Sequence, residues 1–186
     1  MFAIVGAGSI GRLFAYRLST DNCFFLSTRS FHKNDSSSVN RTKPAELRQR
    51  TDTGEIASNK FSARTQQNTS FNVIDDRSTF RLSIPTFYTT RPEFDDYEKP
   101  RAVLLCTKSY DAVKAATELD ATLPSDVPFV LMQNGMGSQQ SIFRRLVHRP
   151  VFAAITTSGA NINSNDELIL AGQGTTQFGP LNDTAL

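Results

Sequence analysis

The residues best placed to do chemistry lie in one hexapeptide near the start, Gly6-Ala7-Gly8-Ser9-Ile10-Gly11, a Gly-x-Gly-x-x-Gly pattern. The apolar run Phe2-Ala3-Ile4-Val5 precedes it, and a segment carrying Leu13, Phe14 and Leu18 at helical spacing follows. Strand, glycine turn and helix in that order form the setting in which this pattern cradles a dinucleotide. Gly6 permits the tight turn, Gly8 lets a diphosphate approach the backbone, and Gly11 lets helix and strand pack closely. The free N–H groups and positive dipole end of the helix then face the phosphates, so Ala7, Ser9 and Ile10 join the glycines as cofactor-binding candidates.

Three further positions extend this chemistry. A site for NAD places Asp or Glu about 20 residues beyond the glycines, on the ribose 2′-hydroxyl. Here the second apolar run ends Ser27-Thr28-Arg29, with no acid. A guanidinium pairs bidentately with a phosphate and stacks on an aromatic base, so Arg29 points to NADPH; an ordinary surface arginine is the competing reading. Thr107-Lys108 follows the run Ala102-Val103-Leu104-Leu105-Cys106, and Asn134-Gly135-Met136-Gly137 follows Phe129-Val130-Leu131-Met132 and Gln133. Lys108 and Asn134 would stand in the cleft, against cofactor ribose or substrate. The competing readings are a snorkelling lysine at a strand end and an Asn-Gly turn; the helical segment after Asn134 argues against a hairpin there.

The elements that position these residues alternate. Strand-like runs fall at 2–5, 23–26, 79–85, 102–106, 129–132 and 151–157. Helical segments fall at 12–19, after Ser109 and after Ser138, with those serines as caps and Asp111 near a positive helix end. Residues 167–170 and 175–178 read as an antiparallel pair. Apolar strands alternating with amphipathic helices give an α/β fold, a mostly parallel sheet with helices on both faces. Ligands bind such sheets at the carboxyl ends of the strands. Residues 30–70 break the pattern. Only eight of these 41 are apolar and seven are Lys or Arg, too little apolar surface to offset ordering entropy. They read as a polar, loosely packed insertion, with a short helix near 45–49.

Composition closes off other classes. Twenty basic against 18 acidic residues give no electrostatic footprint for nucleic acid. No apolar run approaches the roughly 20 residues of a membrane span, and a strand starting at Phe2 leaves no room for a signal peptide. Two cysteines in apolar runs, Cys23 and Cys106, suit a reducing compartment, the cytoplasm. His32 and His148 have no metal-ligand spacing to them. Asp75-Asp76 and Asp95-Asp96 read as solvated acids.

Taken together, the motifs resemble those of the ketopantoate reductases (2-dehydropantoate 2-reductases): Gly6–Gly11, Arg29, Thr107-Lys108 and Asn134-Gly135-Met136-Gly137. Also similar are Ile155-Thr156-Thr157-Ser158-Gly159-Ala160, Gly172-Gln173-Gly174 and Phe178-Gly179-Pro180. The resemblance implies a Rossmann-like NADP-binding domain over 1–180, with 181–186 as a tail. It implies hydride transfer from NADPH to the ketone of a small 2-oxo acid, 2-dehydropantoate, giving pantoate for pantothenate synthesis. Lys108 and Asn134 would be its catalytic residues on this chain. The family's general-acid lysine and substrate-binding glutamate lie in a following helical domain, which is expected to begin about where this chain stops. That leaves weak activity for this chain alone, a non-catalytic dinucleotide-binding module, or a reductase of another 2-oxo acid as open alternatives, with the oligomeric state unassigned. Arg29→Ala should weaken NADPH binding by roughly 1.5–3 kcal/mol, the worth of a charge-assisted hydrogen bond, and leave NADH binding unchanged. Fluorescence titration of both coenzymes measures this; an equal change for the two contradicts the assignment.

Overall fold

Short apolar runs become buried strands here because a parallel sheet is covered on both faces. A computed structural model describes residues 1–27, 67–75, 78–88, 99–135 and 137–185. Strand β1 (Phe2–Val5) leads through helix α1 (Ser9–Leu18) into β2 (Cys23–Ser27), parallel to β1 with Ala3 beside Phe24. The chain continues through β3 (Gln67–Ile74), β4 (Thr79–Tyr88), β5 (Val103–Leu105), α2 (Ser109–Asp120), β6 (Phe129–Leu131), α3 (Ser138–Arg145) and β7 (Val151–Thr156). It ends in β8 (Gly159–Ile162), β9 (Leu168–Gly172), β10 (Thr176–Pro180) and a 3₁₀ turn at Asp183–Ala185.

All ten strands form one sheet, in the order β10-β7-β6-β5-β1-β2-β4-β3-β9-β8. Its centre, β7 to β4, is parallel throughout. Antiparallel pairs lie toward the margins. One face packs on α2 and α3: Ala112, Ala115, Ala116, Leu119 and Ile142 meet Ala3, Val5, Val103, Leu105, Phe129 and Leu131. The small alanines let α2 lie close to the strands. On the other face, Leu13 and Ala15 of α1 meet Ile4, Cys23 and Phe25. This is the mostly parallel α/β sheet, covered on both faces, that the alternation implies.

The margins correct the expected pairing. Residues 167–170 and 175–178 are not partners. β9 pairs with β8 and β3, whereas β10 pairs with β7 near the other end of the sheet. Connectivity explains why. β7 and β8 stand eight strand spacings apart, about 38 Å in a flat sheet at roughly 4.8 Å per spacing. Yet only Thr157 and Ser158 link them, a reach of at most about 11 Å. The sheet must therefore curl, bringing the β8–β9 hairpin back over α1. Ala160 and Leu168 accordingly share the core with Leu13 and Phe71. The return connection from β9 to β10 crosses the same spot, Thr175 N–H donating to Thr157 Oγ1 at 3.0 Å.

Other differences are local. Strand β3 begins at Gln67 rather than Phe71, because the polar stretch Gln67–Ser70 pairs with β4 while keeping mostly exposed side chains. Ser109 and Ser138 open their helices but do not cap them. Lys108 and Gly137 hold the cap positions without side-chain cap bonds, and Asp111 alone supplies compensating charge in the first turn of α2. Most of the polar segment 30–70, with Arg29 and His32, lies outside the described residues, as do Asp76, Asp95 and Asp96.

One buried charge ties the far end of the sheet together. Arg149, fully buried, donates from Nε to Asp120 Oδ1 (2.8 Å), from Nη1 to the carbonyls of Pro124 (2.8 Å) and Val127 (2.7 Å), and from Nη2 to that of Leu123 (3.0 Å). Its guanidinium also lies 4.4 Å from the Phe129 ring centroid. The loop after α2 is thus held on one side chain, whose planar fork a lysine cannot reproduce. Arg149→Met should destabilise the fold by roughly 3–5 kcal/mol, as for breaking a buried pair, with partial recovery in Arg149→Lys. Urea unfolding measures this; a loss below about 1 kcal/mol, the worth of a surface pair, would contradict it.

Candidate functional site

The carboxyl ends of β1, β2, β4 and β5 open onto a cleft of about 430 Å³, walled by Gly6, Ala7, Gly8, Ser27, Thr86, Tyr88, Thr107, Lys108, Tyr110 and Asp111 among others. The glycine turn forms its floor, and Gly6 and Gly11 each have a separate steric reason. Gly6 has φ +99°, and a Cβ there would lie 2.9 Å from the Thr107 nitrogen. A Cβ on Gly11 would lie 1.9 Å from the Gly6 carbonyl oxygen; the first turn of α1 is pressed against the turn that precedes it. Gly8 is the opposite case: its backbone is extended (φ −76°, ψ −172°), and a Cβ would meet nothing within 4 Å. Open space over Gly8 and a helix N-terminus behind it are what a diphosphate needs. The residues present fit a dinucleotide.

Thr107 and Lys108 fall in the cleft wall as expected, Lys108 exposed at the start of α2. Ser9 and Ile10 begin α1 beside the turn. Asn134 lies at the carboxyl end of β6, exposed, and is not part of the cleft wall. The strand order, with β5 between β1 and β6, explains its separation from the glycine turn.

A second feature runs along the same edge. Among the described residues, three buried side-chain polar atoms have no hydrogen-bond partner: Thr107 Oγ1, Gln133 Oε1 and Ser158 Oγ. They sit just past the ends of β5, β6 and β7, three neighbouring strands. Gln133 Nε2 is anchored, donating to the Leu105 carbonyl at 2.6 Å, which leaves its oxygen free to accept. Buried polar groups are rarely unpaired, so this strand-end edge is where buried hydrogen-bonding capacity is left over among the described residues. Thr107 belongs to both features and joins the row to the cleft.

Sequence reasoning missed Gln133, Ser158, Tyr110 and Asp111. Gln133 flanks one recognised motif and Ser158 lies inside another, and their position after buried strands was the available signal. Arg12 was also missed. It is 8% exposed, and its Nε donates to the Ala7 carbonyl within the glycine turn at 2.9 Å.

Burial pushes the Cys23 thiol up to about 11 and that of Cys106 up to about 12. Both stay protonated at neutral pH and offer no nucleophile to the cleft. Among the described residues no three His, Cys, Asp or Glu side chains gather as a metal site, and no helix is long and apolar enough to cross a membrane.

Comparison with known proteins gives a consistent picture. Residues 2–183 match the family model described as ketopantoate reductase PanE/ApbA. A 2-dehydropantoate 2-reductase of Vibrio cholerae serotype O1 is 34% identical over 80 residues, 43% of this chain and 27% of that protein. Among solved structures, a protein of Bacillus subtilis described as a probable 2-dehydropantoate 2-reductase superposes with a TM-score of 0.65 at 17% identity. That match covers 98% of this chain and 50% of the Bacillus one. A D-mandelate dehydrogenase, solved with NADH and anilino(oxo)acetate, gives a TM-score of 0.61 at 15% identity, over 98% of this chain and 49% of that one. The chain thus spans about half the length of these solved relatives.

The open space over Gly8 separates folding from binding. Gly8→Val suits extended backbone and, at the N-cap of α1, should cost no more than about 1 kcal/mol of stability. It should nevertheless raise the Kd for NADPH by at least about tenfold, 1.4 kcal/mol. Thermal melting and coenzyme titration check both halves; unchanged affinity would show that no diphosphate lies over this turn.

Proposed function

This chain belongs to the ketopantoate reductase family, and on that premise we propose that it is the coenzyme-binding part of an NADPH-dependent reductase that converts 2-dehydropantoate to pantoate. The observation that carries the reading is the coincidence, in one cleft, of an open glycine turn at a helix N-terminus with Thr107 and Lys108 from the neighbouring strand end. NADPH, when bound, supplies the hydride for the ketone carbon. The chain's own groups bind and orient. Backbone N–H groups at the start of α1 hold the diphosphate, and Arg29 takes the 2′-phosphate. The Lys108 ammonium contacts ribose or the substrate oxygen, where it offsets the negative charge that develops on reduction. Asn134, exposed past the end of β6, provides a polar contact farther along the edge.

A second reading has its own support, the likeness to a D-mandelate dehydrogenase solved with NADH and anilino(oxo)acetate. On that reading the coenzyme is NADH and the substrate a different 2-oxo acid; fold alone does not choose. The two readings part in one experiment. The purified chain is titrated with NADPH and NADH and then assayed for coenzyme oxidation with 2-dehydropantoate and with an aryl 2-oxo acid. The proposal expects tighter NADPH binding and oxidation, however slow, only with 2-dehydropantoate. Preference for NADH with the aryl acid supports the second reading, and binding of neither coenzyme overturns both.

A further inference from the structure

The β8–β9 hairpin has no chemistry of its own, yet one side chain binds it to the glycine turn. Arg12, in the first turns of α1, donates from all three guanidinium nitrogens. Nε donates to the Ala7 carbonyl at 2.9 Å, Nη1 to the Asp166 carbonyl at 2.8 Å and Nη2 to Asp166 Oδ1 at 2.7 Å. Its plane sits 5.0 Å from the Phe71 ring centroid. Asp166 lies in the hairpin's turn with φ +61°. That turn is built locally, Asn163 Oδ1 accepting from the N–H groups of Asn165 and Glu167. It is fastened to the sheet by Asn72 Nδ2 donating to Glu167 Oε1 at 3.0 Å.

The arm to Ala7 matters for ligand chemistry. Ala7 lies between Gly6 and Gly8, and its carbonyl carries the negative end of a peptide dipole. In a planar trans peptide, carbonyl oxygen and amide hydrogen point in opposite directions. Holding the Ala7 oxygen on Arg12 keeps it off any anion over the turn and turns the Gly8 N–H away from Arg12. Gly8, on one side of this peptide, has no Cβ, which leaves the unit a freedom that the Arg12 bond restricts.

We propose, resting on the coenzyme reading above, that Arg12 is a positioning residue: its fork sets the Ala7–Gly8 peptide for an anionic diphosphate and takes its own position from Asp166 on the β8–β9 hairpin. The glycine turn and the hairpin, 154 residues apart in sequence, then behave as one unit, and linkage makes the effect reciprocal. Coenzyme binding should order the hairpin, and loosening the hairpin should loosen the turn.

The test uses Arg12→Met, Arg12→Lys and Asp166→Gly. Glycine suits the positive φ of position 166, so that variant removes the carboxylate and keeps the turn. Arg12→Met should raise the NADPH Kd at least about tenfold, and Arg12→Lys, which keeps the charge but not the fork, should recover part of the loss. Asp166→Gly should speed amide exchange at residues 6–11 with little change in melting temperature. In the unmodified protein, NADPH should slow exchange at residues 163–167. A Kd in Arg12→Met within about twofold of the unmodified value would overturn the proposal. Should Arg12→Met fail to fold, Asp166→Gly decides: unaltered exchange at residues 6–11 overturns the proposal, and faster exchange supports it. Absence of NADPH and NADH binding by the unmodified protein would defeat the coenzyme reading instead, and the same exchange comparison would still judge the clamp.

Discussion

Everything at the cleft depends on one steric constraint, the pressing of α1 against the glycine turn. At Gly11 there is no room for even a methyl group, since the Gly6 carbonyl occupies the place. That closeness points the unpaired N–H groups of the helix at the turn. The turn in turn approaches β5, where the Thr107 nitrogen sits next to Gly6. Three elements meet here with backbone against backbone. The space that remains lies over Gly8, facing the cleft.

The curled sheet is the second consequence of close packing. Helix α1 has the central strands beneath it and the β8–β9 hairpin over it, with Ala160 and Leu168 closing the core that Leu13 and Phe25 begin. A helix enclosed in this way is fixed on several sides. The two links that cross at Thr157 and Thr175 bring this cover from the opposite margin of the sheet. They also lie beside Ser158, at the end of the edge where polar atoms go unpaired. Fold and site therefore share the same few residues.

How much of this was legible in the sequence depended on range. The central strands declared themselves through apolar runs such as 23–26 and 102–106, because burial on both faces leaves little alternative. The glycine turn was legible because Gly6 and Gly11 each answer a local steric demand and Gly8 keeps the space over the turn open. Pairing at the margins was not. Residues 167–170 and 175–178 look like a hairpin by proximity, whereas their partners are set by crossovers that no local pattern records. β8 carries only Ala160 and Ile162 as apolar residues, and Gln67–Ser70 is polar but paired along its length, so neither read as strand. Arg12 looked like any helical arginine; its burial follows from the hairpin folding over it, a long-range event.

The central claim is that a phosphorylated dinucleotide lies across these strand ends with its diphosphate over Gly8. A crystal structure grown with NADPH tests it most directly. The account predicts density with the diphosphate hydrogen-bonded to backbone N–H groups at the start of α1 and the nicotinamide extending past Thr107 toward Gln133 and Ser158. NADPH bound elsewhere, or a cleft closed over by its own side chains at saturating coenzyme, would contradict it.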